Sequence, residues 1–213
     1  MIKIASVVSD IISNDEIALE SLRSGILNLS AYARLITPGV EKKLYKHVRR
    51  GTIVTALSRL VSDMANTPSL RPHVKIEDIS IKSPLVELSF DKSSQLIKEV
   101  NSFRSSLDTD KNFFTVTQGF GEVTIIMPEV LLTKALTHIS QKPKSKYTAL
   151  VAVNIRIIAD NYIETPNMIY SLVATLAAKR INLIEIISTY TEISFIVNQS
   201  DMERTVDALK NHF

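Results

Sequence analysis

Ile181-Asn182-Leu183-Ile184-Glu185-Ile186-Ile187-Ser188-Thr189-Tyr190-Thr191-Glu192-Ile193-Ser194-Phe195-Ile196-Val197 reads as two strands joined by a tight connection, and it has a counterpart 70 residues earlier. At that spacing Asn112 coincides with Asn182, Phe120 with Tyr190 and Glu122 with Glu192. Val123-Thr124-Ile125-Ile126-Met127 lies over Ile193-Ser194-Phe195-Ile196-Val197. In the helices that follow, Leu132, Leu136 and Ile139 match Met202, Val206 and Leu209. The correspondence reads without a gap from about residue 83 to 140 against 153 to 210. A repeat of this length is a whole small domain and not a solenoid unit.

Each copy continues the same pattern outward. In the first, a strand at 85–90 precedes a helix at 94–107 that carries Leu96, Ile97, Val100, Phe103 and Leu107 on one stripe. Strands at 113–117 and 122–127 flank Gln118-Gly119-Phe120-Gly121, and Pro128-Glu129 opens a helix to about Ser140. In the second copy, residues 149–158 are almost wholly apolar, the mark of a strand buried on both faces. A helix begins near Pro166, strands span 181–188 and 191–198, and Asp201 opens the last helix. The order strand–helix–strand–strand–helix is ferredoxin-like without its final strand. Ahead of the first copy, Val74, Ile76, Ile79 and Ile81 mark one more strand, separated from Leu85 by Ser83-Pro84.

Upstream the pattern is helical only. Ile4, Val7, Val8, Ile11 and Ile12 have helical spacing. Asn14 is the expected N-cap of a second helix bearing Ile17, Leu22 and Ile26. Ser30 is the expected cap of a short third helix that Pro38-Gly39 ends, with a further turn at 40–45. Gly51-Thr52 opens a last helix with Ile53, Val54, Leu57 and Leu60 on its buried side. The fold class is therefore α+β: a helical module at 1–66, a linker at 67–73, a first repeat at 74–141 and a second at 147–213.

Composition narrows the chemistry. The chain has 213 residues, 45% of them hydrophobic, and no run near the ~18 apolar residues a bilayer span needs. The apolar start at 1–12 carries Lys3 and Asp10 and reads as a helix, not a signal peptide. There are no cysteines, which excludes thiol chemistry and disulfides and fits a cytoplasmic protein. His47, His73, His138 and His212 are scattered without metal-ligand spacing, so neither metal nor cofactor is expected. Residues 1–66 hold nine Lys/Arg against six Asp/Glu, while 67–213 hold sixteen of each, so the net +3 belongs to the helical module.

The second copy resembles an ACT domain, specifically the regulatory ACT pair of aspartokinases. The matching residues are Thr165-Pro166-Asn167-Met168-Ile169-Tyr170-Ser171-Leu172, Ile181 to Ser188, and Glu192-Ile193-Ser194-Phe195-Ile196-Val197. The family pattern is a proline entering a helix, an Ile-Asn-apolar start to one strand and a Glu-Ile-Ser start to the next. The likeness covers 149–213 directly and 74–140 through the repeat. It implies an interleaved pair, with residues 74–81 completing the sheet of the second copy. It also implies a non-catalytic sensor of a small molecule, an amino acid by analogy, and a homodimer. No phosphate-cradling glycine loop accompanies it among the five glycines. The family's glycine after the proline is replaced by Asn167.

Two sites are candidates. Asp160 and Asn161, with Thr165 and Asn167 at the helix start, form one side of a ligand loop. An effector's ammonium would meet Asp160 and its carboxylate the helix N–H groups. The resemblance supplies the facing side as Asn182 and the backbone of Leu183 and Ile184. The same loop also reads as an ordinary cap. The shorter first-copy loop, Asp91-Lys92-Ser93-Ser94, is expected to hold no site.

The second candidate is a helix-turn-helix with Arg49, Arg50, Thr52, Thr55 and Arg59 facing DNA and Lys42, Lys43 and Lys46 on phosphates. The alternative is a solvated basic face on a docking or dimerisation module. Ser188, Thr189 and Glu192 have no histidine nearby in sequence, and Glu185 with Glu192 alternate as strand carboxylates usually do. No enzyme activity is expected from them.

Overall fold

The computed structural model describes residues 3–64, 69–107, 113–158 and 164–212. The chain divides into a helical unit, Met1–Pro72, and a sheet unit, His73–Phe213.

The helical unit comprises α1 (Ile4–Ser13), α2 (Glu16–Arg23), α3 (Leu29–Leu44) and α4 (Arg50–Met64). Its core joins Val7, Val8 and Ile12 of α1 to Leu22, Ala33, Ile36, Val40, Ile53 and Leu57. Val54 and Leu60 are half-buried against the same core. Several local expectations change here. Asn14 belongs to the end of α1, and Asp15 caps α2 by accepting from the Ala18 N–H at 3.0 Å. The Tyr32 hydroxyl donates to the same carboxylate at 3.1 Å, and burial, then Asp15, raises that phenol to about 12. Asn28, not Ser30, caps α3 through the Ala31 N–H.

α3 runs straight through Pro38 instead of ending there. Tyr32, Ala33, Ile36 and Val40 form a buried stripe on both sides of the proline. Continuing that stripe offsets the one backbone hydrogen bond a proline forfeits. The helix ends at Tyr45, which takes a left-handed φ of 53°. Ile17 and Ile26 are exposed, so only Leu22 of the expected α2 stripe is in the core.

The sheet unit has six antiparallel strands in the order β2-β3-β1-β4-β6-β5. They are β1 (Ile76–Asp91), β2 (Thr115–Gln118), β3 (Glu122–Pro128), β4 (Ser145–Ile157), β5 (Glu185–Ser188) and β6 (Glu192–Asn198). Helices α5 (Ser94–Ser105), α6 (Leu132–His138), α7 (Met168–Ala178) and α8 (Met202–His212) complete it. A short 3-10 turn enters α6 at Glu129–Leu131 and α8 at Gln199–Asp201.

The two strands read from 74–81 and 85–90 are one strand, β1. Ser83-Pro84 makes only a register shift between Lys82 and Leu85. Its first half pairs with β4, Ile79 opposite Ile155 and Ile81 opposite Val153. Its second half pairs with β3, Leu85 opposite Pro128 and Phe90 opposite Val123, and also with the start of β4. The repeat is not gapless. Pro128 and Asn198 are 70 apart, but their partners Leu85 and Leu150 are only 65 apart. The second copy has eight more residues between its first strand and its helix, and three fewer between that helix and the next strand. Two residues separate β1 from α5, whereas ten separate β4 from α7.

Three apolar clusters hold the unit. Val86, Leu88 and Phe90 pack with α5 and α6, and Val151, Val153 and Ile155 pack with α7 and α8. On the opposite side of the strands, Leu85, Ile126, Leu150, Ala152 and Ile196 form a third cluster around the strands that both halves share.

Candidate functional site

The ten-residue connection before α7 holds the first candidate site. Asp160 and Asn161 lie outside the described residues. Asn167 is described and exposed, with φ 70° and ψ 14° directly before α7. That left-handed conformation suits glycine and, among other residues, asparagine above all. Asn167 therefore holds a conformation that a glycine at this position could also adopt. The Asn167 side chain caps nothing, while its carbonyl accepts from the Ser171 N–H at 2.9 Å. Thr165 is half-buried three residues before the helix.

Of the residues expected to face this loop, Asn182 is exposed, and Leu183 and Ile184 are half-buried. Their backbone is less open than expected. The Ile184 N–H donates to the Ile196 carbonyl at 2.9 Å, extending the ladder beyond β5, so it is not available to a ligand. Leu183 packs with the α7–α8 cluster and Ile184 with the third cluster. In the first copy, Ser93 simply caps α5 by accepting from the Leu96 N–H at 3.1 Å.

Basic residues of the helical unit line two grooves that share Gly51. Arg49, Thr52, Thr55 and Arg59 line one groove beside Ile4 and Ala5 of α1. Arg50 lines a different groove with Arg34 of α3. Lys43 is paired with Asp10, and Lys42 and Lys46 are exposed near the end of α3. Glu41 accepts from the Val48 N–H at 2.9 Å and pairs with His47 at 2.6 Å, which ties the α3–α4 connection together.

The carboxylates read from sequence separate. Glu192 forms an ion pair with Arg156 at 2.9 Å, and Glu185 is half-buried on β5. The neighbour of Glu185 is Glu87, which sequence reading passed over. Glu87 is 5% exposed, and among the described residues its Oε2 has no hydrogen-bond partner. Burial, and then the charge of Glu185, push its carboxyl up to about 6. Burial raises Glu185 as well. The alternation of Leu85-Val86-Glu87-Leu88 already placed Glu87 beside Leu85, away from α5. Among the described residues no three His, Cys, Asp or Glu side chains gather as a metal site. No helix there is long and apolar enough to cross a membrane.

Residues 155–213 match the ACT domain family. The regulatory subunit of aspartate kinase from Thermus thermophilus is similar at TM-score 0.53 and 12% identity, over 65% of this chain and 99% of that one. Aspartate kinase from Clostridium acetobutylicum is similar at TM-score 0.54 and 16% identity, over 67% of this chain and 36% of that one. Aspartokinase III from Escherichia coli, solved with aspartate and ADP, gives TM-score 0.51 at 12% identity, over 66% of this chain and 34% of that one. No curated protein sequence matches the chain. The chain spans about a third of the length of the two complete kinases. The class these matches define is an ACT-like fold for the sheet unit. Residues 155–213 match an ACT domain, and the fold is similar to that of the aspartate kinase regulatory subunit.

Proposed function

We propose that this protein senses a free amino acid through an interleaved ACT pair and passes the signal to its helical unit, without catalysis of its own. The observation that carries this reading is the asymmetry between the copies. The connection into α7 is ten residues long, against two into α5, and it ends in the left-handed Asn167. Asp160 holds the ammonium, with Asn161 and Thr165 beside it. The first turn of α7, behind Asn167, directs its N–H groups and dipole at the carboxylate. Asn182 closes the facing side with its amide, and Leu183 and Ile184 contribute wall contacts. The protein works as a cytoplasmic homodimer, an arrangement that also covers strand edges.

The test is a melting-curve screen of the twenty amino acids. A ligand at about 100 times its dissociation constant adds roughly 2.7 kcal/mol. Asp160→Ala is expected to remove most of the shift while leaving the ligand-free midpoint in place, and Asn182→Ala to weaken it. If no amino acid moves the midpoint, sensing of this class is wrong. If the shift survives both substitutions, only the placement is wrong.

A second reading has one observation in its favour. Arg49, Thr52, Thr55 and Arg59 share a single groove along α4, as residues of a DNA-reading helix would. Binding to random duplex that weakens steeply with salt would support it.

A further inference from the structure

The helical unit carries a second groove that this account leaves unused. It follows α3 from Leu27 to Leu35, with Ala31 and Tyr32 on its floor. It continues past Arg34 to Arg50 and Val54 of α4. At 1.5 Å per residue the helical stretch from Leu29 to Leu35 is about 9 Å long, and Leu27 just ahead of it extends the groove to the scale of about two turns of a docked helix. Leu35 is 71% exposed and Ile26, just before the groove, is 78% exposed. Leu27, Ala31 and Leu35 share the groove, so the apolar surface there is contiguous, and contiguous exposed apolar surface marks an interaction site where single scattered side chains do not.

The rim is cationic. Arg34 and Arg50 are exposed and, among the described residues, neither has a carboxylate at salt-bridge distance. Arg50 also begins α4, whose N-terminal dipole has the same sign. No acidic side chain lines either part of the groove.

We infer that this groove docks an acidic amphipathic helix of a partner protein. Its leucine-like residues would lie along Ala31, Tyr32 and Leu35, and its carboxylates would meet Arg34 and Arg50. This is the helix-in-groove mode of recognition, with charge setting orientation and selectivity. Asn28 and Ser30 line the part near Arg50, but the part along Leu27, Ala31 and Leu35 is mainly apolar and offers nothing to a phosphate backbone, so the groove favours a peptide over nucleic acid. The inference concerns the helical unit alone, so its failure leaves the amino-acid reading untouched.

The experiment uses the full chain without added amino acid. Its probe is a fluorescein-labelled peptide of about four helical turns, with leucine every third or fourth position and glutamate between. A counterpart carries lysine in place of glutamate. The acidic probe is expected to bind in the micromolar range, and the lysine probe at least about tenfold more weakly. Arg34→Glu with Arg50→Glu, and separately Leu35→Ala, are each expected to weaken the acidic probe by roughly tenfold. Arg59→Glu, in the other groove, is expected to leave it unchanged. Circular dichroism of each variant checks the fold, and these exposed positions are expected to keep it.

Equal or absent binding of the two peptides overturns the inference. So does binding that ignores Arg34, Arg50 and Leu35 but falls with Arg59→Glu. Random duplex DNA that binds where the acidic peptide does not, and is lost on Arg34→Glu with Arg50→Glu, would assign the groove to nucleic acid and overturn it as well.

Discussion

Glu87 shows what a single side chain can do to the stability of the sheet. Its carboxyl is raised from 4.5 to about 6 by burial, with Glu185 adding to the effect. The folded state therefore prefers the protonated form more than the unfolded chain does. Stability from this group is complete below about 4.5 and is lost as pH rises through about 6. Glu87→Gln is expected to raise stability by about 1–2 kcal/mol at pH 8, with the gain vanishing below pH 4.5. Urea melts of both proteins at several pH values check it; a gain that grows toward acid would contradict the sign. Asn167 makes the opposite kind of case, since its backbone matters more than its amide. Asn167→Gly is expected to be neutral within a few tenths of a kcal/mol, and Asn167→Val to cost about 1–2 kcal/mol through φ of 70°. Thermal melts without ligand distinguish the two.

At the scale of elements, the hydrophobic period was legible and the punctuation was not. The stripe Ile53, Leu57 and the pattern of β3 and β6 read directly from residue spacing, because burial on one face leaves a period behind. Pro38-Gly39 misled. A local breaker signal competes with tertiary packing, and Ile36 and Val40 on either side kept the helix whole. Ser83-Pro84 misled in the same way, because a pair of strands with a register shift tolerates a proline that a regular ladder does not. That the segment before α7 is longer than its first-copy counterpart was legible, yet the offset between the two copies was not. Matching β3 to β6 at 70 hid the shorter offset of the strands they pair with.

One expectation follows for α3 itself. Pro38→Ala restores a helix N–H at an exposed position and is expected to stabilise the helical unit by about 1–3 kcal/mol. A lower melting temperature for that variant would mean that the proline shapes α3 in a way its neighbours require.

For the whole molecule, the shared strands decide how cooperatively it unfolds. β1 and β4 each pair with strands of both halves, so neither half can lose them alone. The sheet unit is expected to melt in one calorimetric transition despite its two repeats. Leu150→Ala, which opens space at the centre of the third cluster, is expected to cost about 2–5 kcal/mol. Hydrogen exchange would then show amides of α5 and α7 losing protection together. Protection lost in α7 alone would mean that the halves are independent.

The unequal connections into α5 and α7 carry a consequence for stoichiometry. Two pseudo-equivalent halves would ordinarily suggest two effector molecules per chain. Under the proposed reading only the half with ten residues before its helix has the chain length to wrap a guest. A titration should therefore end at one equivalent. The other half then acts as an unliganded reference, against which the occupied half can be biased.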